Sequence, residues 1–331
     1  MDTRSMTGTR PARPALIALD WGTSSLRGFL MTADGGIVEE RGAPHGIQNL
    51  PAPGAAGFER AFDLLTADWR AAHPRLPVVA GGMVGSAQGW LEAPYVPTPA
   101  DTGVLADRAA RLVTASGVPI LIAPGVVHDP ADGAPDVMRG EEIQIAGALA
   151  RAPQIAARSR LVLPGTHSKW VEIADGRIVR FSTHMTGELF ALLRHQSILG
   201  RLMPDRSATG TAAEAAFALG LETARGGALA HRLFSVRTLG LLKRLETDVL
   251  EDYLSGLLIG HEIDAAIAEG GSEPGVPLVV IGEGRLVRRY GDALRLFGLT
   301  PAAELGNTAP EGLHRFADAA GLVGRIPEDV R

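Results

Sequence analysis

The sequence predicts an α/β protein of two similar lobes, each a mixed sheet opened by a β-meander and flanked by helices. Three observations carry this. The chain has 331 residues, more than one ordinary core accommodates, so two domains of roughly 150 residues are expected. A strand–turn–strand pattern near the N-terminus recurs in the middle of the chain. Behind each copy, apolar runs of strand length alternate with longer amphipathic runs, as α/β lobes require.

The first meander consists of Ala15–Asp20, the turn Trp21-Gly22-Thr23-Ser24-Ser25, Leu26–Thr32, the tight turn Asp34-Gly35-Gly36, and Ile37–Gly42. Its echo runs through Arg160–Leu163, the turn Pro164-Gly165-Thr166-His167-Ser168-Lys169, Trp170–Ala174, the turn Asp175-Gly176, and Arg177–Thr183. The two Gly-Thr pairs are 143 residues apart and the two Asp-Gly turns 141 apart, so one meander opens each half. In the first half, Gly57–His73 reads as a helix, Leu76–Ala80 as a strand, Ala106–Ser116 as a helix, Val118–Ala123 as a strand and Gly140–Ala152 as a helix. In the second half, Gly187–Leu202, Ala212–Leu221 and stretches between Val236 and Gly270 read as helix, Val276–Ile281 as a strand, Leu286–Phe297 as a helix, Pro301–Leu305 as a strand and Gly312–Leu322 as a helix. Residues 1–14, with three Arg and two Pro, read as a disordered extension. Residues 15–150 then form the N-terminal lobe and 151–331 the C-terminal lobe, with the last helix free to pack back on the first and the ligand cleft between the lobes.

Composition narrows the function classes. Hydrophobic residues make up 46% and charged residues 21% of a chain of net charge −5, without any Lys/Arg-rich run. That argues against a nucleic-acid binder, whose phosphate contacts need a basic face. The absence of cysteine rules out disulfides, thiolate nucleophiles and Cys-ligated metals. No apolar run approaches the ~20 residues that span a bilayer, and a cytoplasmic address is expected.

Five stretches carry candidate chemistry. Asp20 to Ser24 lies at a strand end, where a glycine turn (Gly22, Thr23) presents N–H groups and hydroxyls to phosphate and an acidic residue suits a bridging metal ion. Arg27 follows closely. An ordinary hairpin with a capping Asp would use the same residues. Gly165-Thr166-His167-Ser168-Lys169 is the echo turn. Lys169 is one of only two lysines among 32 basic residues, and a compact ammonium can approach phosphate as a point charge; a solvent-facing turn lysine is the plain alternative. His167 suits either a ligand contact or a structural hydrogen bond. Asp136-Val-Met-Arg139-Gly140-Glu141-Glu142 precedes an apolar helix. Its carboxylates serve either as dipole-complementing caps or as the base that takes the proton of an attacking hydroxyl, with Arg139 beside it for an anionic group. Between Gly81 and Trp90, the residues Met83, Ser86 and Gln88 lie among glycines, a lining for a polyol or else a mobile surface loop. Gly282-Glu283-Gly284 makes a strand-to-helix turn open to close ligand approach, although neither a Rossmann fingerprint nor a Walker A sequence is present.

Leu19-Asp20-Trp-Gly-Thr-Ser, Gly81-Gly-Met-Val-Gly-Ser-Ala-Gln-Gly-Trp90, Asp136-Val-Met-Arg-Gly-Glu-Glu142 and Leu163-Pro-Gly-Thr-His-Ser-Lys-Trp170 together resemble the 2-dehydro-3-deoxygalactonokinase family, over nearly all the chain from about Ala15. The resemblance implies two actin-like (ribonuclease H-like) lobes of the actin/hexokinase/Hsp70 superfamily. It also implies ATP and Mg²⁺, and transfer of the γ-phosphoryl group to the C6 hydroxyl of 2-dehydro-3-deoxy-D-galactonate in galactonate catabolism. By the same resemblance, Asp20 (metal), Gly22, Thr23, Ser24 and Arg27 form the first phosphate loop, and Gly165 to Lys169 the second. Gly282 to Gly284 form the adenosine loop, and Met83, Ser86, Gln88, Trp90 and Arg139 the sugar-acid site. Pro164 stands where the superfamily places an acidic residue at the second strand end, which leaves metal duty to Asp20. Gly140-Glu141-Glu142 resembles the Gly-Asp-Gln helix start of related carbohydrate kinases, which makes Glu141 the implied base and Asp136 its rival. Another sugar or sugar acid as acceptor, or a nucleotide-driven actin-like scaffold without catalysis, stays open at this point. So does a homodimer.

Overall fold

The computed structural model describes residues 13–324 except 207 and 272; the expected N-terminal extension therefore lies, up to residue 12, outside the described residues, and Pro14 already opens the first strand. Two compact units emerge. The first holds the described residues up to Val127, Val137–Arg151 and the segment from Ala309 onward; the second holds His128–Asp136 and Ala152–Thr308. Neither is continuous in sequence.

In the first unit, β1 (Pro14–Trp21), β2 (Leu26–Thr32) and β3 (Ile37–Ala43) form the meander, followed by α1 (Ala55–Ala72), β4 (Val78–Gly82), β5 (Tyr95–Pro97), α2 (Thr102–Asp107), β6 (Ala110–Val113), β7 (Pro119–Ile122), β8 (Gly125–His128, all but its last residue), β9 (Asp136–Met138, all but its first residue) and α3 (Glu141–Arg151). The sheet runs β3-β2-β1-β4-β7-β6. The meander strands are antiparallel, β1, β4 and β7 are parallel, and β6 returns antiparallel. Leu16 to Leu19 are fully buried, as expected of a central strand covered on both faces. On α1, Phe58, Phe62, Leu65 and Trp69 recur at helical spacing and pack on Trp21, Leu26 and Leu30. The C-terminal helix (Ala309–Ala319) packs on α3, with Arg151 paired to Glu311.

The expected helix over Ala106–Ser116 is not formed. A short helix ends at Asp107, and Ala110–Val113 pairs instead with β7 through a turn closed by Thr114 N donating to Val118 O at 2.9 Å and Gly117 N to Thr114 O at 2.9 Å. This pairing outweighs an apolar run too short to choose its own conformation. The small sheet β5-β8-β9 went unread for the same reason.

The second unit contains β10 (Arg158–Leu163), β11 (Ser168–Ala174), β12 (Arg177–His184), α4 (Thr186–Gln196), α5 (Thr211–Ala224), α6 (Leu229–Arg232), α7 (Phe234–Leu241), α8 (Leu250–Ala266), β13 (Leu278–Ile281), α9 (Gly284–Leu296) and β14 (Ala303–Leu305). Its sheet, β12-β11-β10-β13-β14, repeats the plan of the first: an antiparallel meander whose first strand pairs in parallel with the next βα strand. The internal echo of the sequence is thus a duplicated topology, the actin-like, ribonuclease H-like arrangement. Among the described residues no helix is long and apolar enough to cross a membrane.

Candidate active site

In the first unit, Asp20 ends the buried run of β1 and faces Arg27 directly across the β1–β2 ladder, with Arg27 Nη2 2.8 Å from Asp20 Oδ2. Burial raises the Asp20 carboxyl above its ordinary range, against the pull of the Arg27 charge and hydrogen bond. The turn that follows is held by its own acceptors. Ser25 O receives Gly22 N at 2.9 Å, while Gly22 O and Thr23 O receive Ile47 N and Gln48 N at 3.1 Å each. Those carbonyls are engaged inward, and Thr23 and Ser24 are exposed, which suits an anion better than a cation.

β4 runs beside β1 in register, Asp20 with Gly81 and Trp21 with Gly82. Gly82 has φ +92, and a Cβ there would lie 2.8 Å from Trp21 O, so only glycine allows the two strand ends to approach this closely. A Cβ on Gly140 would lie 3.3 Å from Gly82 Cα. The first turn, the Gly81–Trp90 stretch and the start of α3 therefore meet at the carboxyl ends of parallel strands, where α/β sheets place their ligands.

The Met83–Trp90 stretch is an internally hydrogen-bonded coil, with Val84 and Gly85 buried. It coils through a 3₁₀ turn, Met83–Gly85, with Ser86 N on Met83 O at 3.0 Å, Gly89 N on Ser86 O at 2.8 Å and Trp90 N on Val84 O at 2.9 Å. Trp90 stacks on Phe58 at 5.8 Å and meets Trp21 edge-on at 5.8 Å; its half-buried ring packs against the aromatic core. Met83 is half-buried and Gln88 exposed, and Ser86 Oγ is buried without a protein partner. The Arg139 guanidinium lies 4.3 Å over the Tyr95 ring and donates from Nη2 to Ala93 O at 2.8 Å, while Nε and Nη1 are buried and unpartnered. Buried donors left in this state point to a ligand.

At the start of α3, Arg139 N donates to Glu141 Oε2 at 3.0 Å and Gly140 N to Glu142 Oε2 at 2.7 Å. Glu142 is 1% exposed. Burial, reinforced by the Glu141 charge, pushes its carboxyl up to about 8, so at neutral pH it is largely the neutral acid beside Glu141. Asp136 is engaged elsewhere: its two oxygens accept Thr183 N at 2.6 Å and Thr183 Oγ1 at 2.5 Å, within the second unit.

In the second unit, Thr166 and His167 form the exposed part of the echo turn, and a Cβ on Gly165 would meet nothing within 4 Å. His167 Nε2 lies 2.5 Å from Glu188 Oε2. Ser168 and Lys169 do not belong to the turn. They begin β11 and are 0% and 4% exposed, which excludes the solvent-facing lysine; Ser168 Oγ pairs with Tyr290 Oη at 2.9 Å rather than facing a ligand. The Gly282 turn lies beside this one, because β10 and β13 are parallel neighbours and a Cβ on Gly282 would stand 3.5 Å from Pro164 O. Glu283 caps α9, accepting from Arg285 N at 3.1 Å.

The model of the 2-keto-3-deoxy-galactonokinase family matches residues 20–316. The chain belongs to this family. A Rhizobium meliloti (strain 1021) protein named a probable 2-dehydro-3-deoxygalactonokinase is 41% identical over 290 residues, covering 86% of this chain and 90% of that protein. The Escherichia coli (strain K12) 2-dehydro-3-deoxygalactonokinase is 37% identical over 308 residues, covering 92% and 97%. A Sinorhizobium meliloti crystal structure assigned to the same activity superposes with a TM-score of 0.81 at 36% identity, over 94% of this chain and 100% of that one.

The 2-keto-3-deoxy-galactonokinase family is a kinase family, and its chemistry brings ATP and a divalent ion into consideration. Asp20 fits such an ion: its buried, raised carboxyl has one cationic partner and gains from a second positive charge. Among the described residues no cluster of three or more His, Asp or Glu side chains could hold an ion by itself, so phosphate and water would complete the coordination. Sequence reasoning read Glu142 only as one of the paired carboxylates at the start of α3, and passed over Glu262, which interrupts the apolar stretch of α8 after Leu257, Leu258 and Ile259; an acid in such a stretch is itself a signal, because it must be paired when buried.

Proposed function

We propose that the chain transfers the γ-phosphoryl group of ATP to the C6 hydroxyl of 2-dehydro-3-deoxy-D-galactonate. One observation carries this reading: the Asp20 turn, the unpartnered Arg139 and Ser86 donors, and Glu141 gather at one end of the first-unit sheet. Phosphoryl transfer needs positioning and charge stabilisation more than covalent help from the protein. Arg139 and Ser86 offer donors to the anionic, hydroxylated acceptor. Glu141 takes the proton of the terminal hydroxyl as its oxygen bonds to the γ-phosphorus and the bond to ADP breaks. Asp136, with both oxygens on Thr183, is the weaker candidate for that proton. Gly165 to His167 and Gly282 to Gly284, neighbouring turns of the second unit, take the nucleotide, and Thr23 and Ser24 of the first unit offer donors to phosphate. When bound, Mg²⁺ would neutralise phosphate charge, and Asp20 is the carboxylate placed to hold it. The need for ATP puts the reaction in the cytoplasm.

The test is an ADP-release assay over the galactonate and gluconate epimers, with Glu141→Gln alongside. The variant should lose at least about 100-fold in kcat, the usual weight of a general base, while ATP affinity stays near that of the unaltered protein. An unchanged kcat removes Glu141 from the role, and turnover of neither epimer overturns the acceptor assignment.

A further inference from the structure

The second unit contains a buried polar cluster that none of these roles uses. Glu262, on α8, is 3% exposed among Ile259, Ile263 and other apolar neighbours. Three donors converge on its carboxylate: Trp170 Nε1 on Oε1 at 2.8 Å, with Tyr290 Oη at 2.7 Å and Thr186 Oγ1 both on Oε2. A phenol has one proton, and Tyr290 commits it to Glu262, so Ser168 Oγ donates in turn to Tyr290 Oη. Burial first, and the Glu262 charge second, push the Tyr290 phenol well above its ordinary range, which keeps that proton in place.

Each of these partners adjoins a nucleotide loop. Ser168 directly follows the Gly165–His167 turn. Thr186 opens α4, whose Glu188 N donates to Thr166 O at 2.9 Å. Gly187 lies so close beneath the turn that a Cβ would stand 2.4 Å from Gly165 O. Tyr290 lies on α9, the helix that begins in the Gly282–Gly284 turn. A hydrophobic core has no need of a carboxylate here, and burying one is costly unless every lone pair is directed.

We infer that Glu262 is a positioning residue, fixing through Ser168, Trp170, Thr186 and Tyr290 the geometry of the Gly165–His167 and Gly282–Gly284 loops toward the nucleotide. The inference rests on the assignment of those loops to ATP in the proposed function. In Glu262→Gln, the amide oxygen still receives Tyr290 and Thr186, but the amide N–H groups then face the Trp170 N–H. Calorimetric titration with MgADP, together with KM values for ATP and acceptor, should show ADP Kd raised about tenfold, equivalent to ~1.4 kcal/mol, with acceptor KM within about twofold. Tyr290→Phe, which removes only the hydroxyl relay, should weaken ADP about threefold, the scale of one modest hydrogen bond. Glu262→Gln combined with Trp170→Phe removes the opposed donor and should recover most of the lost affinity, a rescue that a generally loosened core would not give. Folded variants that bind ADP like the unaltered protein, or an acceptor KM that rises in step with ADP Kd, overturn the inference alone. Failure of the unaltered protein to bind ADP overturns the loop assignment and the inference with it. If Glu262→Gln does not fold, Tyr290→Phe decides.

Discussion

Replacing Glu142 with Gln should make the protein more stable, and increasingly so as pH rises. Glu142 is 1% exposed, accepts one bond from Gly140 N at 2.7 Å, and leaves Oε1 buried without a partner. Burial and the neighbouring Glu141 charge lift its carboxyl from an ordinary 4.5 to about 8. The folded state thus holds a proton that the unfolded chain releases above pH 4.5. Its stabilising contribution is complete below that pH, declines through the interval, and is lost once pH passes about 8. Each pH unit inside the window costs about 1.4 kcal/mol per proton, so by pH 7.5 the unaltered protein has lost as much as ~4 kcal/mol relative to acid conditions. Glutamine keeps the shape, accepts from Gly140 N through its amide oxygen, and never ionises. Urea unfolding of both proteins at steps from about pH 5 to 8.5 should give curves that nearly coincide at the acid end and diverge steadily toward the alkaline end, then run parallel. A constant difference across the series, or a variant that loses ground as pH rises, would refute a buried neutral Glu142.

Two further outcomes follow from packing. Gly82→Ala forces a Cβ to 2.8 Å from Trp21 O at φ +92 and should destabilise by about 2 kcal/mol, read as a lowered thermal midpoint; Gly42→Ala, with nothing within 4 Å of its Cβ, is the neutral control. Trp90→Ala removes a ring stacked among Phe58, Trp21 and Phe62 and should cost about 3 kcal/mol, whereas Trp90→Phe should retain the acceptor KM, because the side chain packs the core.

Local chemistry made much of the molecule readable. Both meanders, their Gly-Thr turns and the helix start at Glu141 depend on neighbours a few residues apart, through period-two alternation, turn residues and capping carboxylates. Even the duplication was visible, because the same local pattern had to be written twice. The run Ala106–Ser116 marks the limit: its conformation depends on β7, and nothing within the segment encodes that partner.

The sequence by itself determined which residues stand at the two turns, the Gly282 turn and the start of α3, and hence the family. Only the tertiary structure decided which of them face outward. Ser168 and Lys169 pass from the turn into a buried strand, Trp90 packs against the aromatic core, Asp136 binds Thr183, and Glu262 collects donors from as far as 92 residues away. The physical reason is desolvation. A side chain's charge, its partners and its availability to a ligand depend on what surrounds it in space, and neighbours brought together from distant parts of the chain leave no mark on the residues adjacent in sequence.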